Sequence, residues 1–118
     1  MNEQKIANKN ILRIKELENN IGINEINIYA YITQDYVSKK LIINGELYSE
    51  NISKKITMNG IVYDKDGDII ISGKNISYGY GWKTDSIHPL SVKGLFPFRI
   101  ELEIPDNIII EKIRVYPS

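Results

Sequence analysis

Large apolar residues occupy every second position between Phe96 and Ile104. One side of this segment holds Phe96, Phe98, Ile100, Leu102 and Ile104, and the other holds Pro97, Arg99, Glu101 and Glu103. A period of two is typical of a strand with one buried face and one solvent-facing face. A helix would place Phe96 and Phe98 about 200° apart and could not gather the five apolar residues on one side. We therefore predict a strand here, with Phe98 and Ile100 in the core.

Weaker alternation of the same kind recurs along most of the chain. It marks residues 26–32, 41–47 and 56–62, and further strands are predicted over residues 69–71 and 108–116. Asp66-Gly67 lies between two of these segments and indicates a hairpin, because glycine accepts the positive φ angles of a tight turn. Turns at intervals of about ten residues favour an all-β fold, an immunoglobulin-like antiparallel β-sandwich of about seven strands. The strands are not separated by helices, which excludes βαβ units.

The N-terminal segment has a different period. Ala7, Ile11, Ile14, Leu17 and Ile21 follow helical spacing, and Gly22 is suited to end a helix. The pattern predicts a helix over residues 3–20, hence a short N-terminal helical segment (1–22) followed by the sandwich (23–118). Such a helix either packs on the sandwich or frays in solvent, or it serves as a connector or an oligomer contact.

Composition limits the classes of partner. The chain has 118 residues, no cysteine, and 15 basic against 15 acidic residues. Disulfides and thiolate metal sites are therefore excluded, and the lack of a basic excess argues against nucleic acid as a partner. We find no apolar run suited to a signal peptide or to direct membrane insertion. The localisation is extracytoplasmic if a signal segment was removed, and otherwise cytoplasmic. The oligomeric state stays open.

Residues 24–116 resemble the FxLYD-type domains, which are bacterial immunoglobulin-like modules. The resemblance is carried by five short segments: residues 41–47 (Leu-Ile-Ile-Asn-Gly-Glu-Leu), 51–53 (Asn-Ile-Ser), 61–70 (Ile-Val-Tyr-Asp-Lys-Asp-Gly-Asp-Ile-Ile), 89–90 (Pro-Leu) and 94–100 (Gly-Leu-Phe-Pro-Phe-Arg-Ile). Tyr63 and Asp64 match the family pattern, whereas Gly60 replaces its Phe and Val62 replaces its Leu. The resemblance implies a binding or spacing role and carries over no catalytic residue.

Three groups of residues are candidates for metal binding or catalysis. Asp64, Asp66 and Asp68 could surround a calcium ion, but an EF-hand needs Gly at position six and Glu at position twelve. Counted from Asp64, Gly67 is at position four and Asn75 is at position twelve, so the EF-hand pattern is not met. A hairpin turn explains these residues without a metal. His88 is the only histidine and has no nucleophile-elbow context. Glu101 and Glu103 lie about 7 Å apart on one side of a strand beside Arg99, as on a solvated face. We predict no metal, no cofactor and no catalytic residue.

The aromatic run Tyr78, Tyr80 and Trp82 is interleaved with glycines. In an extended strand these side chains share one side, and such a platform could stack on sugars, peptides or Pro-rich segments. The competing interpretation is a cluster that closes one end of the sandwich. The run is the ligand-site prediction of this sequence, with an unknown protein or glycan as partner.

The sequence therefore favours a non-enzymatic β-sandwich binding or spacer module of a bacterial protein, either as part of a surface-associated protein or as a small standalone protein. The alternative is a cytoplasmic or phage-related accessory protein that acts through protein interactions. A hydrolase using His88 or the Glu101/Glu103 pair is the third hypothesis and has the least support.

Overall fold

The computed structural model describes residues 2–34, 36–50, 56–74, 77–79, 82–84, 94–105 and 107–118. Within these ranges the strands are β1 (Asn2–Lys5), β2 (Ile11–Arg13), β3 (Glu25–Gln34), β4 (Lys39–Ser49), β5 (Met58–Tyr63), β6 (Ile69–Lys74), β7 (Ser77–Gly79), β8 (Trp82–Thr84), β9 (Gly94–Glu103) and β10 (Lys112–Pro117). A 3-10 turn, Asn8–Asn10, joins β1 to β2, and the helix α1, Lys15–Ile21, lies between β2 and β3.

Eight of these strands form two four-stranded sheets. Sheet A has the order β1-β3-β4-β9 and is antiparallel throughout. Sheet B has the order β2-β10-β5-β6, with β2 parallel to β10 and the other pairs antiparallel. The strands β7 and β8 form a separate antiparallel pair. The predicted all-β sandwich is confirmed, with eight strands in its two sheets instead of about seven.

The core lies between the two sheets and is built by the alternation that the sequence displays. On β4 the residues Leu41, Ile43 and Leu47 are buried, and on β9 the predicted burial of Phe98 and Ile100 is confirmed. The side chains of Ile43 and Ile100 reach across to Gly60 of β5 in sheet B, where a Cβ atom would meet them at 3.2 and 3.4 Å. Removing these apolar side chains from water is the main stabilising contribution to the sandwich.

The chain crosses between the two sheets several times, and two of these crossings run from sheet A to sheet B in the later part of the chain. The chain leaves sheet A after β4 and enters sheet B at β5, and it crosses in the same direction from β9 to β10. Because β4 is antiparallel to β9 and β5 is antiparallel to β10, these two crossings lie at opposite ends of the sandwich. They therefore tie the two sheets together at both ends.

The helix predicted over residues 3–20 is wrong for residues 3–14. Only Lys15–Ile21 is helical, and the preceding residues supply β1 to sheet A and β2 to sheet B. Ala7 is exposed, so the apolar residues at helical spacing do not share one buried face. The Ile6 N–H instead donates to the Ala30 carbonyl at 2.9 Å, and Ile6 is buried in the core. Gly22 ends the helix in the left-handed region at φ 96°, as predicted.

A partly buried ion pair holds α1 against β2 and β3. The Arg13 guanidinium donates from Nε to Glu18 Oε2 at 3.0 Å and from Nη2 to Oε1 at 2.6 Å, and Glu18 is only 3% exposed. Arg13 Nη1 also donates to the carbonyl of Ile26 on β3 at 3.4 Å. The hydrogen bond with Glu18 raises the pKa of Arg13, and this outweighs the opposing effect of partial burial.

Candidate functional site

The outward side of sheet A carries two tyrosines at its centre. On β3 the side chains of Ile28, Ala30 and Ile32 turn to the core, so Tyr29 and Tyr31 turn outward. We call the surface around them the tyrosine face, defined by Lys5, Tyr29, Tyr31, Asn44, Arg99 and Glu101.

The strand register brings these residues together from four strands. Tyr29 is opposite Asn44, which is opposite Arg99, so these three form one row across β3, β4 and β9. The neighbouring row runs from Lys5 on β1 through Tyr31 and Ile42 to Glu101. Directly opposite side chains in an antiparallel sheet lie about 4.5–5.5 Å apart at Cβ. The face is therefore a continuous surface, although its members are far apart in the sequence.

The aromatic part of the face is open to solvent. The ring centroids of Tyr29 and Tyr31 are 5.3 Å apart with a tilt of 43° between the ring planes. Tyr29 is 46% exposed, whereas Tyr31 is half-buried. Lys5 Nζ lies 5.5 Å from the centroid of Tyr29, within the range of a cation–π contact.

The polar part of the face is organised around Arg99. Its Nε donates to Glu101 Oε1 at 2.8 Å, and its Nη1 donates to Asn44 Oδ1 at 3.4 Å. Partial burial lowers the pKa of Arg99. The hydrogen bond and charge of Glu101, together with the proximity of Tyr31, have a larger effect in the opposite direction, so the pKa is raised overall. Three planar polar groups are thus held side by side next to the tyrosine rings.

An apolar side chain lies beneath this polar layer. Ile42 is at an outward position of β4, yet it is only 4% exposed. Its neighbours in register are Tyr31 and Glu101. The outward side of sheet A is therefore a packed layer of side chains, not a set of separate solvated groups.

The other residues proposed from the sequence have different surroundings. Glu101 bonds to Arg99, whereas Glu103 is exposed and pairs in register with Lys40. His88 lies outside the described residues. Among the residues that the structure describes, no three His, Asp or Glu side chains group as a metal-binding site.

Asp64 organises the predicted hairpin between β5 and β6, which is confirmed. Its Oδ1 accepts hydrogen bonds from the backbone N–H groups of Asp66 at 2.9 Å and Asp68 at 3.0 Å. Gly67 has φ 84°, the positive angle for which glycine was expected. The Asp64 carboxylate therefore has a structural role in the turn.

The aromatic run falls on the separate pair of strands. The backbone of Tyr78 is in β7, opposite Lys83, and the backbone of Trp82 is in β8, opposite Gly79. The run is thus divided between two antiparallel strands, whereas its expected one-sided arrangement assumed a single strand. Tyr80 and the side chains of Tyr78 and Trp82 lie outside the described residues. The ligand site at Tyr78, Tyr80 and Trp82 stays a prediction.

A second exposed surface lies at one end of the sandwich. Its large apolar side chains come from two connections and from the start of β6. We call this surface the apolar end, and its residues are Tyr36, Val37, Ile69 and Ile109. Tyr36 and Val37 precede β4 and are 109% and 92% exposed. Lys39 Nζ donates to the carbonyl of Ile108 at 3.4 Å, which ties the β3–β4 connection to the β9–β10 connection.

Comparison with known protein families, curated proteins and solved structures gives no match to this chain. In the described part of the chain, the only α-helix is far too short to cross a membrane. The assignment of function therefore depends on the surfaces described above.

Sequence reasoning missed the tyrosine face. The alternation places Tyr29 and Tyr31 on the polar side of a strand, and that position was the available signal. Their neighbours Lys5, Asn44 and Arg99 come from other strands, and only the register brings them together.

Proposed function

We propose that this protein is a non-enzymatic binding module of a bacterial protein, with an immunoglobulin-like sandwich as its scaffold. Its recognition surface is the tyrosine face. The observation that carries the proposal is the exposed Tyr29 ring in one row with Asn44 and Arg99, where Arg99 is hydrogen-bonded to Glu101. An amphipathic ring next to oriented polar groups offers both contact area and directional hydrogen bonds to a ligand.

The scaffold supports this function because the face is built on paired strands. The strand β4 is paired on both edges along its length, and β3 is paired with β4 throughout and with β1 over residues 31–34, so the side chains of the tyrosine face are held on a rigid support. Binding to a rigid surface costs less conformational entropy than binding to a mobile loop. A spacer role in a surface protein is compatible with the same scaffold.

The immunoglobulin-like and FxLYD-type assignments are part of this proposal. The segments that carry the resemblance include β4, the β5–β6 hairpin and the start of β9. The connections from β4 to β5 and from β9 to β10 support an immunoglobulin-like sandwich, whose connections also pass between its two sheets.

The test is a binding screen of the intact chain against immobilised glycans and peptides. A ligand of the tyrosine face should be retained by the parent protein and lost by Tyr29→Ser. The matched control is Tyr36→Ser, which removes an exposed tyrosine at the apolar end. Equal loss of binding in both variants, or binding unaffected by Tyr29→Ser, would reject the tyrosine face as the recognition surface.

The alternative function, a cytoplasmic or phage-related accessory protein acting through protein interactions, is favoured by the apolar end. Exposed apolar side chains from separate connections are typical of a protein-binding surface when they form one patch. Two connections of this chain and the start of β6 contribute such side chains at the same end of the sandwich.

The two functions are separated by reciprocal variants. Affinity purification followed by quantitative mass spectrometry should recover a protein partner with the parent and with Tyr29→Ser, but not with Val37→Ser, if the apolar end is the interaction surface. Recovery that depends on Tyr29 and not on Val37 would instead support the tyrosine face.

A further inference from the structure

We infer that the tyrosine face binds an uncharged glycan chain that runs across the strands of sheet A. This inference rests on the proposed binding function and specifies its ligand class. It follows from four properties of the face: its charge balance, its exposed ring, its oriented polar groups and its spacing.

The charge balance of the face favours a neutral ligand. The charges of Arg99 and Glu101 are paired with each other at 2.8 Å. Lys40 is opposite Glu103 in register, and Lys5 lies over the Tyr29 ring. A polyanion would require a surface of one dominant positive sign, which this face does not provide.

The exposed ring suits a sugar. The face of an aromatic ring is electron-rich, so it attracts the weakly positive C–H groups on one side of a pyranose. Tyr29 is 46% exposed on the outward side of a central strand, so its ring is accessible from solvent.

The polar groups beside the ring suit vicinal hydroxyls. The Arg99 guanidinium carries five N–H donors, the Glu101 carboxylate accepts, and the Asn44 amide does both. Their mutual hydrogen bonds at 2.8 and 3.4 Å hold them in place before a ligand arrives. A hydroxyl that donates to Glu101 can therefore accept from Arg99 with little further ordering.

The spacing of the strands sets the direction of the ligand. Adjacent strands lie about 4.8 Å apart, which is close to the length of one sugar residue in an extended chain. The row from Tyr29 through Asn44 to Arg99 therefore presents one contact group per strand to successive sugars.

A peptide is less well suited to this position. Extended peptides gain affinity mainly from backbone hydrogen bonds at a free sheet edge. The backbone of β4 is already paired on both sides along its length, so the centre of the face around Asn44 offers side chains alone.

The experiment is a two-dimensional 1H–15N NMR titration of the full chain. The probes are cellohexaose and chitohexaose as neutral glycans, a hyaluronan hexasaccharide as an anionic glycan, and a ten-residue Pro-rich peptide. We expect at least one neutral glycan to shift the amide signals of β3, β4 and β9 near Tyr29, Asn44 and Arg99. Tyr29→Ser should weaken this binding by about tenfold or more, and the folded control Tyr36→Ser should leave it unchanged.

The outcomes separate the glycan inference from the proposed function. Binding of only the peptide or only the anionic glycan at the tyrosine face would overturn the inference and leave the recognition surface intact. Neutral-glycan binding that shifts only signals around Trp82 would overturn the inference for this face and return the site to the aromatic run. If none of the four probes shifts any signal of the tyrosine face, both the inference and the proposed recognition surface are overturned.

Discussion

Phe98 covers Gly45 directly across the β4–β9 pair. A Cβ atom added at Gly45 would collide with three atoms of the Phe98 ring, and the two residues are opposite in register. Glycine is thus required at this position by close packing, and not by an unusual backbone angle. The alternation identifies Phe98 as a core residue, but the need for glycine opposite it depends on the pairing of β4 with β9.

We predict that Gly45→Ala destabilises the fold by about 1–3 kcal/mol, as overpacking of a filled core does. Phe98→Ala should cost about 3–5 kcal/mol through the cavity that it leaves. The double variant Gly45→Ala with Phe98→Leu should recover part of the first loss, because the smaller side chain makes room for the methyl group. Chemical denaturation measures all three, and an unchanged midpoint for Gly45→Ala would contradict the packing described.

Trp82 reports on the aromatic run because it is the only tryptophan. We expect intermediate quenching of its fluorescence by iodide, as for a half-buried ring at the end of the sandwich. A fully shielded Trp82, together with a loss of several kcal/mol in Trp82→Ala, would remove the run as a ligand site. If iodide quenches Trp82 freely and Trp82→Ala loses little stability, the aromatic run stays a candidate ligand site.

Individual elements differ in how well local sequence predicts them. The strand β9 was predicted from its own residues, because alternation alone distinguishes a one-sided strand from a helix. The strands β1 and β2 could not be predicted in this way. Their backbone partners are β3 and β10, so long-range pairing overrides the helical spacing of Ala7, Ile11 and Ile14.

The tyrosine face was beyond local prediction for the same reason. Alternation alone shows that Tyr29 and Arg99 point away from the core, but not that one row of the sheet contains both. A pattern within one strand carries no information about register between strands that are separated by most of the chain.

The helix α1 depends on the Arg13–Glu18 pair. We predict that Glu18→Gln destabilises the fold by about 2 kcal/mol, less than for a fully buried pair, because Arg13 is partly exposed. Glu16→Gln is the control, since Glu16 is exposed in the same helix. Equal melting temperatures for the two variants would show that the ion pair does not stabilise α1.

The stability that the Arg13–Glu18 pair contributes depends on pH through the ionisation of Arg13. The folded-state pKa of Arg13 is raised, so its contribution to stability is fully present below the ordinary arginine value and is lost only as pH rises through the raised one. Deprotonation of Arg13 therefore does not weaken α1 at neutral pH.

The β5–β6 hairpin depends on the Asp64 carboxylate. Asp64→Ala should lower stability by about 1 kcal/mol because two backbone N–H groups lose their acceptor. Asp64→Asn retains an acceptor oxygen and should cost less, and Asp66→Ala serves as the control in the same turn. Millimolar calcium or EDTA should leave the melting temperature unchanged. A clear calcium-dependent rise would show that the turn holds a metal.

On the scale of the whole molecule, the N-terminal residues join the two sheets. The segment 2–13 adds β1 to the edge of sheet A and β2 to the edge of sheet B, and Ile6 between them is buried. The alternation within later strands indicates the sandwich, but it does not show that these first residues complete both sheets.

We predict that deleting residues 1–13 abolishes cooperative thermal unfolding, whereas deleting residues 1–4 only lowers the melting temperature. The longer deletion removes one strand from each sheet. It also removes the buried Ile6 side chain from the core and leaves one edge of β10 without a partner strand. Circular dichroism melts compare the two. Equal cooperativity in both variants would show that the sheets are complete without β2.

The parallel pairing of β2 with β10 also has a consequence for how the chain folds. Ile11 pairs with Ile113, so this contact closes a loop that contains nearly every other strand. Such long-range closure is slow, and sandwiches dominated by distant pairings fold in about milliseconds to seconds. During synthesis at about 5–20 residues per second, β2 emerges several seconds before β10 and has no partner in that interval. Its apolar residues must then be kept from aggregation until β10 has emerged from the ribosome.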